Sequence, residues 1–519
     1  MNLAFSIVGA LTRLCLLAGI AFCPVPAIAQ EKRPTTVEAL AGLETEIEQL
    51  RQIYQTPGVA IAIVKDGQVV FAQGFGKRDL GRDLPATPET LFPTASVTKQ
   101  FTASLIGMQL GQGALSLSDR PAQYLPDLRF NSDEMNNLIS IADLLSHKSG
   151  IGVVDATHVF FPTDDRQRHL ARLQYLTPNS GFRERFDYSN MGYVILAAID
   201  EKIAGESWER QIEKRIFGPL AMTRSNASLA ALEASDNVAL GYGMTDGRPV
   251  HVLYENQHES GPAGAINSTV LDLSNWIKML LNDGRFGDRQ IVPVEFLENA
   301  FSAHAMINPT YDPRTKTLGL DAYGYGWFIS EFEGRYRVSH GGNTSGFTAR
   351  IDMLPAENLG VAILTNQQST EFPRYVTDIV YRRMLGLQTK QVTDYPLQVT
   401  DVTALTALKG TNKTFPPGHA MEGYVGEYSN AGYGNFDVSL RDGNLYADFP
   451  AFSFVLEHQQ RDVFVTKEYY EIHQNSPSFP VNFQTDNAGV IGGAMIPLQA
   501  EPVLFIRQPG QAVMKANSR

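Results

Sequence analysis

The stretch PTASVTKQFTA, from Pro93 to Ala103, places Ser96 three residues before Lys99. Residues three apart on a helix are neighbours, with about 5–6 Å between their β-carbons. A serine hydroxyl needs a nearby base to become a nucleophile, and burial lets a lysine amine take that role because it disfavours the charged ammonium. Apolar neighbours predict such burial: Ala95, Val97 and Phe101. The stretch therefore indicates a catalytic pair of Ser96 and Lys99.

The same stretch can also supply part of an oxyanion hole. If Ser96 opens the helix, its backbone N–H points out of the N-terminal end, where a developing negative charge can be held. One helical turn would then carry the nucleophile, the base and half of the hole. A serine three residues before a lysine also arises by chance, so the interpretation depends on what the rest of the sequence supplies.

Residues 1–29 have the form of a secretory signal peptide. The segment is apolar, carries a single basic residue, Arg13, and ends in the small-residue pattern Ala-Ile-Ala. An uncleaved anchor is the alternative, but two prolines interrupt the apolar run before it is long enough to span a bilayer. We therefore predict cleavage after Ala29, a periplasmic or secreted location, and no membrane span in the mature chain.

Composition excludes several kinds of chemistry. Both cysteines, Cys15 and Cys23, lie inside the signal, so the mature chain is expected to lack cysteine nucleophiles, thiolate metal sites and disulfides. Its stability must then come from a large core, which 519 residues can build, and two domains are favoured over one. The formal net charge of -12 argues against a nucleic-acid partner.

Strand patterns occur near both ends of the first part of the chain. Residues 56–76 alternate apolar side chains around Asp66-Gly67, which predicts a β-hairpin. Residues 322–366 contain short β-rich runs separated by turns, which predict an antiparallel meander. Early and late strands around a helical middle predict one α+β domain over residues 30–387, whose sheet joins both ends of that region.

Helix patterns fill the remainder of this domain. The clearest covers residues 190–205, with Asn190 as the expected N-cap and Gly205 as the expected end. Others cover residues 269–284 and a closing helix over residues 371–386. The predicted fold is therefore an antiparallel sheet flanked by helices, together with an all-helical region.

The last part of the chain has a different composition. Residues 388–420 are polar, rich in threonine and weakly patterned, which predicts a linker. Residues 421–519 contain short alternating runs and an Asp442-Gly443 turn. Such a series of short strands predicts a small all-β barrel domain.

Three short motifs follow one another along the first domain: Ser96 with Lys99, then Tyr188-Ser-Asn190, then His340-Gly341-Gly342. Tyr-x-Asn and His-Gly-Gly are weak when taken alone, although only Tyr188 precedes a predicted helix between the other two motifs. With framework segments such as residues 143–151, their order resembles the serine β-lactamase and penicillin-recognising hydrolase family. That family includes class C β-lactamases and their DD-peptidase, D-aminopeptidase and esterase relatives. The C-terminal residues resemble the lipocalin-like domain appended to some of these peptidases.

The resemblance implies a role for each motif residue. Ser96 would attack a carbonyl carbon and become acylated, while Lys99 and Tyr188 would share the general-base and general-acid work. Which of the two takes the serine proton stays open. Asn190 would hold Lys99 and a substrate amide, and His147 would brace the cleft.

The third motif would bind the substrate. The backbone N–H groups of Ser96 and Asn343 would form the oxyanion hole, and Gly341 and Gly342 would let the substrate lie along the strand edge. His340 stands where the lactamases themselves carry a lysine. A lysine cation suits the carboxylate of a β-lactam, whereas a histidine is only partly charged near neutral pH. This departure favours a peptidase or an esterase.

The predicted function is an exported serine hydrolase that cleaves amide or ester bonds of small substrates through an acyl-enzyme on Ser96. A peptidase of the D-aminopeptidase or DD-carboxypeptidase type leads, followed by a carboxylesterase and then a weak class C-type β-lactamase. A catalytically silent penicillin-binding or sensor protein keeps the same residues and stays an alternative. No metal or other cofactor is expected, since the histidines lack metal-binding spacing. An oligomeric assembly also stays open.

Overall fold

The computed structural model describes residues 34–152, 157, 160–245, 247–256, 258–312, 317–396, 415–468, 478–499 and 501–509. The predicted signal peptide and most of the predicted linker lie outside these ranges. Within them, no helix combines the length and the apolar character that crossing a membrane requires.

A sheet of nine antiparallel strands organises the first domain. In spatial order its strands are Ala305–Asp312, Thr317–Tyr323, Phe328–Phe332, Arg335–Thr344, Phe347–Leu354, Leu359–Thr365, Gly58–Lys65, Gln68–Asp79 and Leu84–Pro85. The strand Gly58–Lys65 pairs with Gln68–Asp79 across the Asp66-Gly67 turn and with Leu359–Thr365 on its other side. The predicted hairpin and meander are confirmed, and the sheet joins the two ends of the domain.

Both faces of this sheet are covered by helices. In the strand Gly58–Lys65, alternate side chains face opposite sides, as strand geometry requires. Val59, Ile61 and Ile63 belong to the core beneath the terminal helices Leu43–Tyr54 and Phe372–Leu385. The intervening apolar residues, Ala60, Ala62 and Val64, belong to the core of the other face, against the helix Val270–Leu281. Burial on both faces explains why this stretch is almost continuously apolar.

Helices and short ribbons build the rest of the domain. The helices are Thr36–Leu40, Thr98–Gly111, Asp133–Leu138, Ile141–Leu145, Arg166–Ala171, Asn190–Ala204, Trp208–Ile212, Leu229–Glu233, Gly261–Gly264 and Val294–Ala300. Three two-stranded ribbons join Phe92–Pro93 with Asn267–Ser268, Gly241–Thr245 with Arg248–Val252, and Arg285–Phe286 with Arg289–Gln290. The expected all-helical region is therefore present beside the sheet.

The helix Asn190–Ala204 begins differently from the prediction. Gly205 ends it in the left-handed conformation, as expected. Its N-cap, however, is Ser189, whose Oγ accepts a hydrogen bond from the backbone N–H of Gly192 at 3.1 Å. The prediction that Asn190 caps this helix was wrong, because the Asn190 side chain is directed to Lys99 instead.

The C-terminal domain is a closed barrel of eight antiparallel strands. They are Gly426–Asn430, Gly434–Arg441, Asn444–Asp448, Ser453–Gln460, Val463–Glu468, Pro480–Thr485, Ile491–Ile496 and Val503–Arg507. Each pairs with the next, and the last returns to the first. Aromatic side chains fill much of the interior: Tyr424, Tyr428, Phe436, Phe449, Phe454, Phe464, Phe483 and Phe505. The α+β domain followed by a small all-β barrel is the predicted fold class, which is confirmed.

Candidate active site

Ser96 lies in a tight turn in front of a buried helix. Ala95–Val97 forms one 3-10 turn that continues directly into the helix Thr98–Gly111. Ala95 has a φ of 48°, in the left-handed region that residues other than glycine rarely adopt. Such backbone strain beside a reactive group is typical of functional sites. The turn leaves Ser96 partly exposed while Lys99, one turn later, is completely buried.

The Lys99 amine is held by three oxygens. Its Nζ lies 3.2 Å from Ser96 Oγ, 2.5 Å from Asn190 Oδ1 and 3.0 Å from the carbonyl oxygen of Ala263. The last two oxygens can only accept hydrogen bonds, so they take two N–H groups of the amine. The same nitrogen lies within hydrogen-bond distance of the serine hydroxyl. A neutral amine would present its lone pair there, which is the geometry a nucleophile and its base require.

Tyr188 lies beside this amine. The Lys99 Nζ is 4.7 Å from the centroid of the Tyr188 ring, close enough for the ring face to attract a positive charge. Tyr188 is half-buried and precedes the helix Asn190–Ala204 by two residues. The structure thus brings Ser96, Lys99, Tyr188 and Asn190 into one group, although the chain separates the two pairs widely.

His147 holds the segment that carries Tyr188. Its carbonyl oxygen accepts a hydrogen bond from the N–H of Asp187 at 2.8 Å, and its Nδ1 accepts one from the N–H of Ser189 at 3.0 Å. Because a backbone N–H can only donate, Nδ1 carries the lone pair and Nε2 the hydrogen of a neutral ring. Complete burial, with Lys99 nearby, holds the pKa of His147 well below its usual value. Its two bonds fix the chain on either side of Tyr188.

His340 is buried and neutral. Its Nδ1 donates to the carbonyl oxygen of Gly341 at 2.6 Å, so its Nε2 accepts from the hydroxyl of Tyr323 at 2.9 Å. Burial, and then the neighbouring Lys99 amine, lower the pKa of His340 to about 3. The sequence led us to expect a partly charged imidazole. In the structure the His340 ring is neutral instead, because it is only 1% exposed.

Tyr323 is a residue of the site that the sequence did not predict. Its side chain is completely buried and bonds His340, and its ring lies 4.6 Å from that of His147 and 6.4 Å from that of Tyr188, between centroids. Tyr323 therefore connects the two histidines beneath the site. Aromatic residues in strands usually pack in cores, so no signal in the sequence distinguished this one.

Gly342 lets the third motif approach the serine turn. A β-carbon at Gly342 would lie 2.1 Å from the carbonyl oxygen of Thr94 and 2.9 Å from the backbone nitrogen of Ser96. No side chain fits in that space, so the glycine is needed where the strand meets the turn. The sequence predicted only a substrate contact for Gly342. The structure shows that Gly342 also packs against the backbone of the serine turn.

The rest of the third motif lies on the strand Arg335–Thr344. Its neighbour Phe328–Phe332 pairs with it only as far as Ser339, so the backbone beyond that residue faces the serine turn rather than a strand. Gly341 has ordinary space around it, since a β-carbon there would lie 3.6 Å from its nearest neighbouring atom. The Asn343 side chain is held by the sheet, since its Oδ1 accepts from a threonine hydroxyl of the adjacent strand at 2.9 Å.

A cleft of about 530 Å³ opens next to Pro93, just before the serine turn, and Ser96, Lys99, Tyr188 and His340 are not among the residues that line it. Pro93 borders it on the side of Ser96, and Thr344 and Ser345 border it where the third motif ends. Four acidic residues line it: Asp164, Glu209, Glu233 and Glu255. Glu209 is paired with Arg166, while Glu255 accepts from the hydroxyls of Thr344 and Ser345. No lysine or arginine of the described residues lines the cleft, so it favours neutral or positively charged groups.

An antiparallel sheet beside a helical region, with a Ser–Lys pair at the junction, is the architecture of β-lactamases and penicillin-recognising enzymes. Residues 43–382 match the family model described as Beta-lactamase, and the chain belongs to this family, which includes serine hydrolases. Residues 411–507 match the model of a domain of unknown function, DUF3471.

Individual proteins show the same relationship. The chain is 28% identical over 373 residues to Protein flp of Staphylococcus aureus (strain NCTC 8325 / PS 47), covering 70% of this chain and 71% of that protein. It is 25% identical over 445 residues to Unguisins hydrolase ungD of Aspergillus violaceofuscus (strain CBS 115571), covering 78% and 77%. The solved octameric penicillin-binding protein homologue from Pyrococcus abyssi superposes with a TM-score of 0.58 at 25% identity, covering 90% of this chain and 99% of that one.

Proposed function

We propose that the chain is an exported serine hydrolase that cleaves amide or ester bonds of small substrates through an acyl-enzyme on Ser96. The observation that carries the proposal is the buried Lys99 amine, which lies 3.2 Å from Ser96 Oγ and is bonded to Asn190 and to the carbonyl oxygen of Ala263. Membership of the Beta-lactamase family supports it, as does the likeness to a relative that is named a hydrolase. The export half of the proposal rests on the apolar segment that ends at Ala29.

In the acylation step, a bond forms between Ser96 Oγ and the substrate carbonyl carbon. The serine proton passes to Lys99 Nζ or to the Tyr188 oxygen, and the carbonyl oxygen takes the negative charge. The backbone N–H groups of Ser96 and Asn343 would hold that oxyanion. When the carbonyl re-forms, the bond to the leaving amine or alcohol breaks, and the leaving group takes a proton from the same acid.

Deacylation repeats this sequence with water as the nucleophile. Lys99 or Tyr188 takes a proton from the water as its oxygen bonds to the acyl carbon, and the proton returns to Ser96 Oγ as the ester bond breaks. The Tyr188 ring beside Lys99 Nζ would stabilise the positive charge whenever the amine holds the proton. His147 would act as a positioning residue, since it bonds the backbone on both sides of Tyr188.

The substrates we propose are small peptides or aminoacyl amides with a free amino group, as in the D-aminopeptidase type. Carboxylates line the adjoining cleft, and a substrate ammonium would be attracted to them. His340 is buried and neutral, so it offers no charge to a substrate carboxylate. Both observations disfavour a DD-carboxypeptidase or a β-lactamase, whose substrates carry a carboxylate near the bond that breaks.

An oligomeric assembly belongs to the proposal as well. The Pyrococcus abyssi homologue, which the chain resembles over nearly its whole length, is described as octameric. Light scattering coupled to size-exclusion chromatography tests this directly. A mass several times that of one chain is expected, and a monomer at micromolar concentration would contradict the assembly.

A panel of chromogenic substrates tests the proposed reaction. It comprises D- and L-alanyl p-nitroanilides, their N-acetylated counterparts, a short-chain p-nitrophenyl ester and nitrocefin, each assayed with the Ser96→Ala variant as control. We expect hydrolysis that depends on Ser96, with the free-amine substrates exceeding the acetylated ones by roughly tenfold or more, as a substrate cation in an acidic cleft predicts. Fastest turnover of nitrocefin would contradict the substrate class. A stable adduct on Ser96 without turnover of any substrate would favour a sensor.

A further inference from the structure

One end of the C-terminal barrel is filled by two phenylalanines of the catalytic domain. The centroid of the Phe160 ring lies 5.4 to 6.2 Å from the rings of Phe449, Phe454 and Phe479. The centroid of the Phe161 ring lies 5.5 to 6.0 Å from those of Tyr433, Phe449 and Phe505. The two side chains are 8% and 1% exposed. The two domains therefore share one continuous apolar core.

Glycines on the barrel rim make room for this contact. A β-carbon at Gly432 would lie 2.9 Å from Leu176 Cδ2, and one at Gly434 would lie 3.3 Å from Phe161 Cδ1. Gly434 also has a φ of 120°, a conformation that residues with a β-carbon rarely adopt. The rim is thus shaped to the catalytic domain by close approach of its backbone.

On the catalytic side, a single arginine ties the inserted residues together. Arg172 Nη1 donates to the carbonyl oxygen of Thr157 at 3.1 Å and to that of Phe161 at 2.8 Å. Arg172 is followed by Leu173 and Leu176, whose side chains are buried in the same core. The inserted phenylalanines and the chain after Arg172 are therefore held as one unit.

That chain leads directly to the catalytic group. The N–H of Asn179 donates to the carbonyl oxygen of Gly150 at 2.8 Å, and the N–H of Arg183 donates to that of Lys148 at 3.0 Å. The N–H of Asp187 then donates to His147, immediately before Tyr188. Successive backbone hydrogen bonds thus join the segment between the barrel contact and Tyr188 to the loop that carries His147.

We propose that the barrel is an internal clamp: its end binds Phe160 and Phe161 and thereby holds the segment that carries Tyr188 against the loop of His147. This assigns a role to a domain described as one of unknown function. The rings already occupy the space that an apolar ligand would take at this end, so the occupant is the chain's own catalytic domain. The effect on rate rests on the proposed function, while the occupancy and its effect on the segment do not.

The double variant Phe160→Ala/Phe161→Ala tests the clamp. Hydrogen–deuterium exchange is followed at the amides of Asn179, Arg183 and Asp187, and kcat is measured with the best substrate of the panel. The clamp predicts roughly tenfold faster exchange at these amides, since local opening is no longer opposed by the barrel contact, and a fall of similar size in kcat. Unchanged exchange in a folded double variant would overturn the proposal.

Phe464→Leu is the matched control, because its ring contacts lie within the barrel. It should leave both the exchange at these amides and kcat unchanged; an equal effect of the control would also overturn the clamp. Should the double variant fail to fold, Gly432→Val pushes on Leu176 from the barrel side and leaves the catalytic domain intact. It is expected to speed exchange at the same amides, and no change there would contradict the proposal.

The exchange measurement separates this proposal from the proposed function. A wild-type protein that hydrolyses nothing would contradict the hydrolase, yet its amides would still report whether the barrel holds the segment. Hydrolysis that persists in a double variant with unchanged exchange would contradict the clamp alone.

Discussion

Lys99 and Phe464 are both almost completely buried, one beside Ser96 in the candidate active site and the other inside the barrel. The Lys99 amine contacts three oxygens, each of which constrains its direction. The Phe464 ring packs against Tyr424 and Phe483 at 5.1 and 5.7 Å between centroids. Hydrogen bonds weaken steeply when misdirected, whereas apolar packing depends mainly on volume and tolerates conservative exchange. Substitutions of similar size should therefore act on activity at the site and on stability in the barrel.

The largest effect is expected from Lys99→Met, which keeps an unbranched side chain as far as the ε-carbon and removes the terminal amine. Loss of a positioned base should lower kcat/KM by roughly a thousandfold or more, about 4 kcal/mol of barrier. The control is Lys202→Met, the same change at an exposed position. Steady-state kinetics and circular dichroism check the pair of variants. Comparable kcat/KM values for the two variants would contradict the role of Lys99 as a base for Ser96.

At His147 two substitutions can test a single atom, the Nδ1 that accepts a hydrogen bond from the backbone of Ser189. Asparagine can place its amide oxygen where Nδ1 accepts from Ser189, and it tolerates the φ of 58° found there. Glutamine places its oxygen nearer the position of Nε2. We expect His147→Asn to keep kcat within about tenfold and His147→Gln to lose roughly 10–100-fold, with KM less affected, as for a positioning residue. Equal kcat values for both variants would show that the bond to Ser189 does not matter.

The buried histidines also predict how stability depends on pH. The unfolded chain takes up a proton at His340 as the pH falls through 6.5, whereas in the folded protein the pKa of His340 is lowered to about 3. The contribution of neutral His340 to the free energy of unfolding is therefore fully present above pH 6.5 and is lost as the pH falls towards 3.

His340→Gln removes this titration and keeps an acceptor for Tyr323. The decrease in the free energy of unfolding between about pH 6 and about pH 4 should become shallower, by up to about 1.4 kcal/mol per pH unit. Urea denaturation of both proteins across that range provides the measurement. Parallel curves would mean that the folded imidazole titrates normally.

In the barrel, Phe464→Leu should cost only stability. A leucine keeps most of the apolar volume, so the loss should be about 1–2 kcal/mol in the free energy of unfolding, with kcat/KM unchanged. Thermal unfolding and steady-state kinetics with one protein preparation give both values. A drop in kcat/KM larger than that of the site variants would contradict the expectation that barrel substitutions affect stability and not activity.

The smallest effect is expected at Ala95, where strain rather than a contact is at issue. Ala95→Gly relieves the φ of 48° but adds freedom to the unfolded chain, so the net change in the free energy of unfolding should be below about 1 kcal/mol. Activity should stay close to that of the wild type, because Ser96 keeps its place. Urea denaturation checks the first value; a large destabilisation would show that the Ala95 methyl group is needed for packing.

Local patterns predicted much of the fold. The Asp66-Gly67 turn, the end of a helix at Gly205 and the neighbouring positions of Ser96 and Lys99 all depend on residues a few places apart. Such features follow from backbone geometry and can be read from spacing. The all-β pattern of the last residues likewise predicted the barrel before its closure was visible.

Features that depend on distant residues could not be predicted in this way. Ser189 rather than Asn190 caps the helix Asn190–Ala204, because the Asn190 side chain accepts a hydrogen bond from Lys99. His340 is neutral because the fold buries it, and its sequence neighbours do not show that. The contact of Phe160 with Phe449 of the barrel joins residues that lie almost three hundred positions apart. Burial and long-range pairing, not local propensity, determine these features.

The most direct test of the pairing of Ser96 with Lys99 is the rate at which a fluorophosphonate labels Ser96. Intact-mass spectrometry follows one adduct per chain, and peptide mapping locates it, in the wild type and in Lys99→Met. We expect a single adduct on Ser96 in the wild type and labelling slowed by roughly a hundredfold or more in the variant, since the serine then lacks its base. An adduct on another residue, or equal labelling rates in the two proteins, would contradict the pairing of Ser96 with Lys99.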